Sequence, residues 1–128
     1  MVRIAYLERG NYWKHMHMTT ENSAEGKTRV MLEITEDMKQ IYGNVHGGAI
    51  AGLMDSCMAV AVNQQLKPDQ GASMVSLKVD FMRSTKQGPL WGEGRVIKKG
   101  SKIVFAEGEI RDDAGNVVAF GTGTFIII

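Results

Sequence analysis

From Gly48 to about Leu66 the chain contains no proline and little β-branching, and Ile50, Leu53, Met54, Cys57, Val60 and Ala61 recur at helical spacing. No other segment reads convincingly as a long helix. It is too apolar to lie in water, so whatever else the chain forms must cover it. "KPDQGAS" ends it, since Pro68 cannot continue a helix and Gly71 supports a turn. The rest of the chain is strand upon strand: "MVSLKVDFM", "LWGEGRVIK", "KIVFAEGEI" and "NVVAFGTGTFIII", separated by "RSTKQGP", "KGS" and "RDDAG". Four strands in succession predict an antiparallel meander. Ahead of the helix, "YWKHMHMTT" and "KTRVMLEI", with Val30, Leu32 and Ile34 alternating, flank the turn-rich "ENSAEG" and predict a hairpin. The first eleven residues fit either a short helix or an extended lead-in. The sum is an α+β fold in one domain over residues 1–128, a single helix laid on an antiparallel sheet of five or six strands. Gly121 and Gly123, two apart on the last strand, share a face where another backbone can come close.

At 128 residues the chain can bury about two thirds of its unfolded surface, enough for one core. Fifteen basic and fourteen acidic residues leave a net charge of +1. Neither nucleic acid nor an anionic membrane is therefore expected as a bulk partner. Cys57 is the only cysteine, which rules out an internal disulfide framework and fits a reducing compartment. Arg3, Glu8 and Arg9 interrupt any apolar run at the start, so no signal peptide is read and a cytoplasmic location is expected. Val45–Val62 is long enough to suggest a membrane span, but Asp55, His46 and three glycines argue for a buried helix instead.

Asp55 is the one acidic side chain in that helix. Its helical neighbours are Ala51, Gly52, Met58 and Ala59, three of them small, while the bulky residues gather on the opposite side. The helix thus has a packing side and a thin side, with the carboxylate on the thin one. An unpaired buried carboxylate is costly, so Asp55 must be paired, solvated in a cleft or shifted toward its neutral form. Just upstream, "GNVHGG" is a glycine-rich turn entering a helix N-terminus, where free N–H groups and the positive end of the helix dipole favour developing negative charge. A carbonyl under attack suits that place, with Gly47 N–H as its oxyanion donor and Gly48 keeping the backbone approachable. Gly47 and Asp55 lie eight residues apart, about 12 Å along a helix. One carbonyl, needing donor and attacker each within about 3.5 Å, cannot meet both in the same chain. Acting together, they must come from two subunits of a two-fold homodimer.

"QIYGNVHGGAIAGLMD" resembles the core of the hot-dog-fold thioesterases, in particular the acyl-CoA thioesterases of the phenylacetate-pathway and 4-hydroxybenzoyl-CoA kind. The likeness runs from about Thr28 to the C-terminus. It includes an amide residue six before the histidine of HGG (Gln40), a glycine three before it (Gly43) and an acid nine after it (Asp55), then "VSLKVDFMR" and "GNVVAFGTGTF". The resemblance implies hydrolysis of an acyl-CoA thioester. Gly47 N–H would polarise the carbonyl, and the partner's Asp55 would attack it or activate a water. His46 would hold the turn, Gln40 would bind near the carbonyl or position water, and Ser76 would assist the water beside the acid. It also implies a homodimer, assembled further into a homotetramer, and no cofactor beyond the coenzyme A that is part of the substrate.

The phosphates of coenzyme A call for basic groups at the cleft mouth, and Arg83, Lys86, Lys98, Lys99 and Lys102 fall in or beside loops of the strand region. His15 and His17 share a face if their segment is a strand, but no third ligand is evident and no metal is expected. Cys57 stands about 16 Å from His46 along the helix, which makes it a packed thiol rather than a nucleophile. No hydratase-type Asp, Asn, Pro, His run is present. The competing reading is a non-catalytic acyl-CoA-binding protein of the same fold.

Overall fold

The computed structural model describes residues 6–23, 25 and 27–128. A short helix α1 (Asn11–His15) leads into β1 (Met18–Asn22) and β2 (Thr28–Glu33). A single 3-10 turn (Glu36–Met38) then precedes the long helix α2 (Gly47–Asn63). Four longer strands complete the chain: β3 (Ala72–Phe81), β4 (Pro89–Lys99), β5 (Ile103–Arg111) and β6 (Val117–Ile127). They form one six-stranded antiparallel sheet in the order β1-β2-β4-β5-β6-β3 around α2, the hot-dog arrangement expected from the sequence.

Two expectations are corrected. The segment "YWKHMHMTT" is not one strand: Asn11–His15 is helical, anchored by the buried Trp13, and only Met18–Asn22 pairs with β2. His17 marks the break, in the left-handed region at φ 55°. The last four strands are also not a continuous meander, because β3 pairs with β6 at the far edge while β4 takes β2 as its neighbour. The connection at 82–88 can reach about 23 Å, ample for the roughly 14 Å of three strand spacings. Of the lead-in, residues 1–5 lie outside the described residues.

Of the apolar pattern of α2, Ile50, Leu53, Met54, Cys57 and Val60 are buried, whereas Ala61 is partly exposed and Met58, expected beside Asp55 on the thin side, is buried with the packing residues. They meet a lane of glycines in the sheet. Gly94 of β4 lies opposite Gly108 of β5, which lies opposite Gly121 of β6. A Cβ on Gly94 would stand 2.8 Å from the Cys57 carbonyl carbon and from the Met58 Cα, so the helix backbone rests directly on that strand. Methionine side chains fill the rest: a Cβ on Gly108 would meet Met54 Sδ at 2.7 Å, and one on Gly123 would meet Met58 Cε at 3.2 Å. Of the close backbone approach expected at Gly121 and Gly123, only Gly121 shows one, to the Lys78 carbonyl oxygen at 2.8 Å; a Cβ on Gly123 would meet side chains, first Met74 Cε of β3 at 2.8 Å.

Candidate active site

Residues 40–46 hold the entrance to α2. Gln40 Oε1 accepts from the Tyr42 and Asn44 amides at 2.6 and 3.3 Å, and Gly43 turns the chain at φ 87°, a conformation that favours glycine. His46 is the N-cap: its Nδ1 accepts from the Gly48 amide at 2.7 Å. The Ala49 and Ile50 amides are turned to the His46 carbonyl at 3.0 and 3.3 Å. Gly47 N–H donates to no group among the described residues. It is thus the free donor at the helix tip, whereas Gly48, expected beside it, spends its N–H on the cap.

An open cleft of about 310 Å³ beside this tip is lined by Gln40, Asn44, Val45, Gly47, Ile50, Phe81, Met82, Arg83 and Ser84. The fold therefore brings together Gln40, Gly47 and Arg83 from three parts of the sequence. Phe81 closes one wall, 3.4 Å from where a Gly47 Cβ would be. With Gln40's carbonyl used in the turn, its amide N–H groups are the part left to face a ligand.

Asp55 lies elsewhere on the same unbroken helix, about 12 Å from Gly47 by helical rise. It is half-buried, makes no hydrogen bond or ion pair to another described residue, and burial pushes its carboxyl above the ordinary value. Beyond its first residues, the only stretches of α2 not fully covered are Ala51, Gly52, Asp55, Ala59 and Ala61. At about 100° per residue, taking Gly47 as zero, Asp55 projects near 80° and Gly52 near 140°. Gly47 faces Phe81 of β3, and Gly52 faces Tyr12 of α1. Asp55 therefore projects from the partly exposed face of α2 that carries Ala51, Gly52 and Ala59, between the directions of β3 and α1.

Other expected site residues are not gathered here. Ser76 sits opposite Thr124, on the sheet face away from α2 and outside the Gly47 cleft. Lys86 is exposed on the connection that carries Arg83, but Lys98 and Lys99 stand at the far end of β4, Lys99 about 33 Å along the strand from Pro89, and Lys102 lies in the turn beyond. Lys99 and Arg83 of one chain cannot serve one mouth. His15 and His17 do not share a strand face; with His46 and Asp37 they line a second cleft, of about 330 Å³, on the other side of the helix tip. Nothing in their spacing announced that meeting. No set of three His, Cys, Asp or Glu residues among those described is placed to hold a metal. Cys57 is fully packed, its thiol pushed up to about 12 by burial.

A sequence profile of the thioesterase superfamily matches residues 42–119, from the turn before His46 to β6. The chain belongs to the thioesterase superfamily. It is accordingly a thioester hydrolase. This thioesterase is 29% identical over 107 residues to a Saccharolobus solfataricus protein that carries a provisional esterase name, across 84% of this chain and 71% of that one. To the 1,4-dihydroxy-2-naphthoyl-CoA hydrolase of Listeria monocytogenes it is 22% identical over 103 residues, 80% of this chain and 84% of the relative. A Bacillus halodurans protein crystallised with CoA superposes with a TM-score of 0.88 at 25% identity, covering 99% of this thioesterase and 87% of that chain. No helix among the described residues is long and apolar enough to cross a membrane.

Proposed function

We propose that this thioesterase hydrolyses acyl-CoA thioesters at a site shared between two copies of the chain. One copy supplies Gly47 N–H, held open by the His46 cap, to the thioester carbonyl oxygen. The partner's Asp55 supplies the attack. As a general base it takes a proton from water while the water oxygen bonds to the carbonyl carbon; as a nucleophile its own oxygen forms that bond, and water later cleaves the anhydride. In both routes the tetrahedral oxyanion sits against Gly47 N–H, the C–S bond breaks, and the thiolate of coenzyme A leaves with the electron pair. Gln40 orients the carbonyl or the water from the same cleft. Arg83 and Lys86 meet the phosphates, with coenzyme A entering as part of the substrate and leaving as product, and no separate cofactor required.

The observation that carries this reading is the pairing of an unengaged amide with an unpartnered carboxylate, fixed too far apart on one rod to serve one carbonyl. Support for a second copy comes from β3, an edge strand of ten residues paired on one side only, with Val75, Leu77 and Phe81 exposed. The CoA hydrolase relative and the CoA-bound neighbour favour coenzyme A as the thiol.

The test is complementation. Asp55→Asn removes the acid. Gly47→Pro removes the N–H at the first helical position, where proline is accepted, and the residue before it, His46, already has the extended conformation that a following proline needs (φ −67°, ψ 139°). Each variant alone is expected to lose at least about a hundredfold in kcat with acyl-CoA substrates. Mixed in equal amounts and refolded together, half of the dimers carry one intact and one doubly damaged site, so about a quarter of wild-type activity returns. A mixture as inactive as its components refutes the shared site. Saturable acyl-CoA binding by the wild type without product refutes acyl-CoA hydrolysis and leaves an acyl-CoA binder.

A further inference from the structure

We infer that Tyr12 selects the acyl group. The inference rests on the proposed acyl-CoA hydrolysis and concerns the part of the substrate that this reading leaves undefined. Tyr12, on α1, reaches across to α2 and lays its ring end on Gly52: a Cβ there would overlap the hydroxyl and stand 3.2 and 3.4 Å from Cζ and Cε2. No hydrogen bond to a described residue occupies the Tyr12 hydroxyl, and the residue is 49% exposed. Gly52 precedes Asp55 by three residues, so their positions are neighbours on the helix surface, about 5–6 Å apart. The hydroxyl therefore stands beside Asp55 on the same partly exposed face of α2.

The direction of the substrate is set by the charges. Arg83 lines the cleft on the Gly47 side, so the phosphate-bearing arm leaves past it, and the acyl group extends the other way, over the Ala51–Asp55–Ala59 floor of the partner toward the partner's Tyr12. A phenol hydroxyl at that end with no hydrogen-bond partner among the described residues recognises an acyl group carrying its own hydroxyl or carbonyl oxygen. A wall that donates or accepts a hydrogen bond discriminates strongly against an analogue lacking the matching oxygen, because the phenol is then desolvated without a partner. Oxygenated acyl groups, short or aromatic, are thus the favoured class over plain hydrocarbon acyl groups of equal size.

The experiment uses matched pairs of acyl-CoAs differing only by one oxygen, such as butyryl-CoA with 3-hydroxybutyryl-CoA and benzoyl-CoA with its three ring-hydroxylated forms. Wild-type enzyme is expected to prefer at least one oxygenated member of each pair. Tyr12→Phe is expected to lower kcat/KM for that member tenfold or more, mainly through KM, and to leave the unsubstituted member within twofold. Gly52→Ala, which pushes only the end of the Tyr12 side chain aside, should reproduce the same loss of preference. Equal effects of Tyr12→Phe on both members of a pair, or no effect on either, overturn the assignment to Tyr12 while thioester hydrolysis itself stands. Failure of the wild type to hydrolyse any acyl-CoA overturns both and is recognised by the absence of free thiol in every reaction.

Discussion

Asp55 carries a cost that is measurable apart from catalysis. Burial without a partner raises its carboxyl above the ordinary 3.8, so the folded chain holds that proton more tightly than the unfolded chain does. The resulting stabilisation is complete at pH values below the ordinary carboxylate range and is lost as pH rises through the raised folded value. At neutral pH the ionised group therefore opposes folding. Asp55→Asn, uncharged at every pH, is expected to melt a few degrees above the wild type at pH 7 and level with it near about pH 3. Thermal unfolding followed by circular dichroism at the two pH values checks this, and an equal or lower melting point at pH 7 would place an unseen partner beside the carboxylate. At this scale the sequence was legible where periodicity applies: residues three and four away from Asp55 already put it on the thin side of the helix. It was not legible for Tyr12, His15 and His17, because five residues of α1 are too few for a period to show. Tyr12 also meets Gly52 only through tertiary packing.

Among the elements, α2 and the glycine lane depend on each other. The helix could be read from its own apolar spacing, but the reason it lies so close to the sheet is spread over β4, β5 and β6, and only register brings those glycines into line. Strand order was unreadable for a related reason. Each of the last four strands alternates acceptably on either neighbour, and the choice of β2 over β3 as the partner of β4 is made by the 82–88 crossing. The lane separates two substitutions that look alike on paper. Gly94→Ala drives a methyl into the backbone at Cys57 and Met58, which cannot withdraw without moving the helix, and is expected to cost about 2–3 kcal/mol or more. Gly52→Ala meets only the end of the Tyr12 side chain and should leave stability nearly unchanged or slightly higher. Urea denaturation of both variants gives the comparison directly; a Gly94→Ala chain as stable as the wild type would mean that the helix is free to lift.

For the molecule as a whole the decisive surface is the β3 edge. A ten-residue strand with one edge unpaired, and with Val75 at 59% and Leu77 at 38% exposure, invites an identical strand to extend the sheet. Lysine on such an edge opposes pairing between copies while leaving the β3–β6 ladder intact. The double variant Val75→Lys with Leu77→Lys is therefore expected to be monomeric by light scattering, native in far-ultraviolet circular dichroism and reduced at least a hundredfold in thioester hydrolysis. A monomer that keeps full activity would show that one chain suffices. The spacing of Gly47 and Asp55 in the sequence carries the geometric argument for a second subunit, but the exposed β3 edge proposed to meet it could not be read there, since exposure along β3 depends on its place at the end of the strand order.

One property of α2 reaches further. Amide and acid are borne by a single continuous rod, so in a two-fold pair any axial slip of that rod withdraws the donor from one centre and the acid from the other in the same stroke. The two centres would then behave as meshed gears, unable to loosen independently, with a single mechanical coordinate timing release in both.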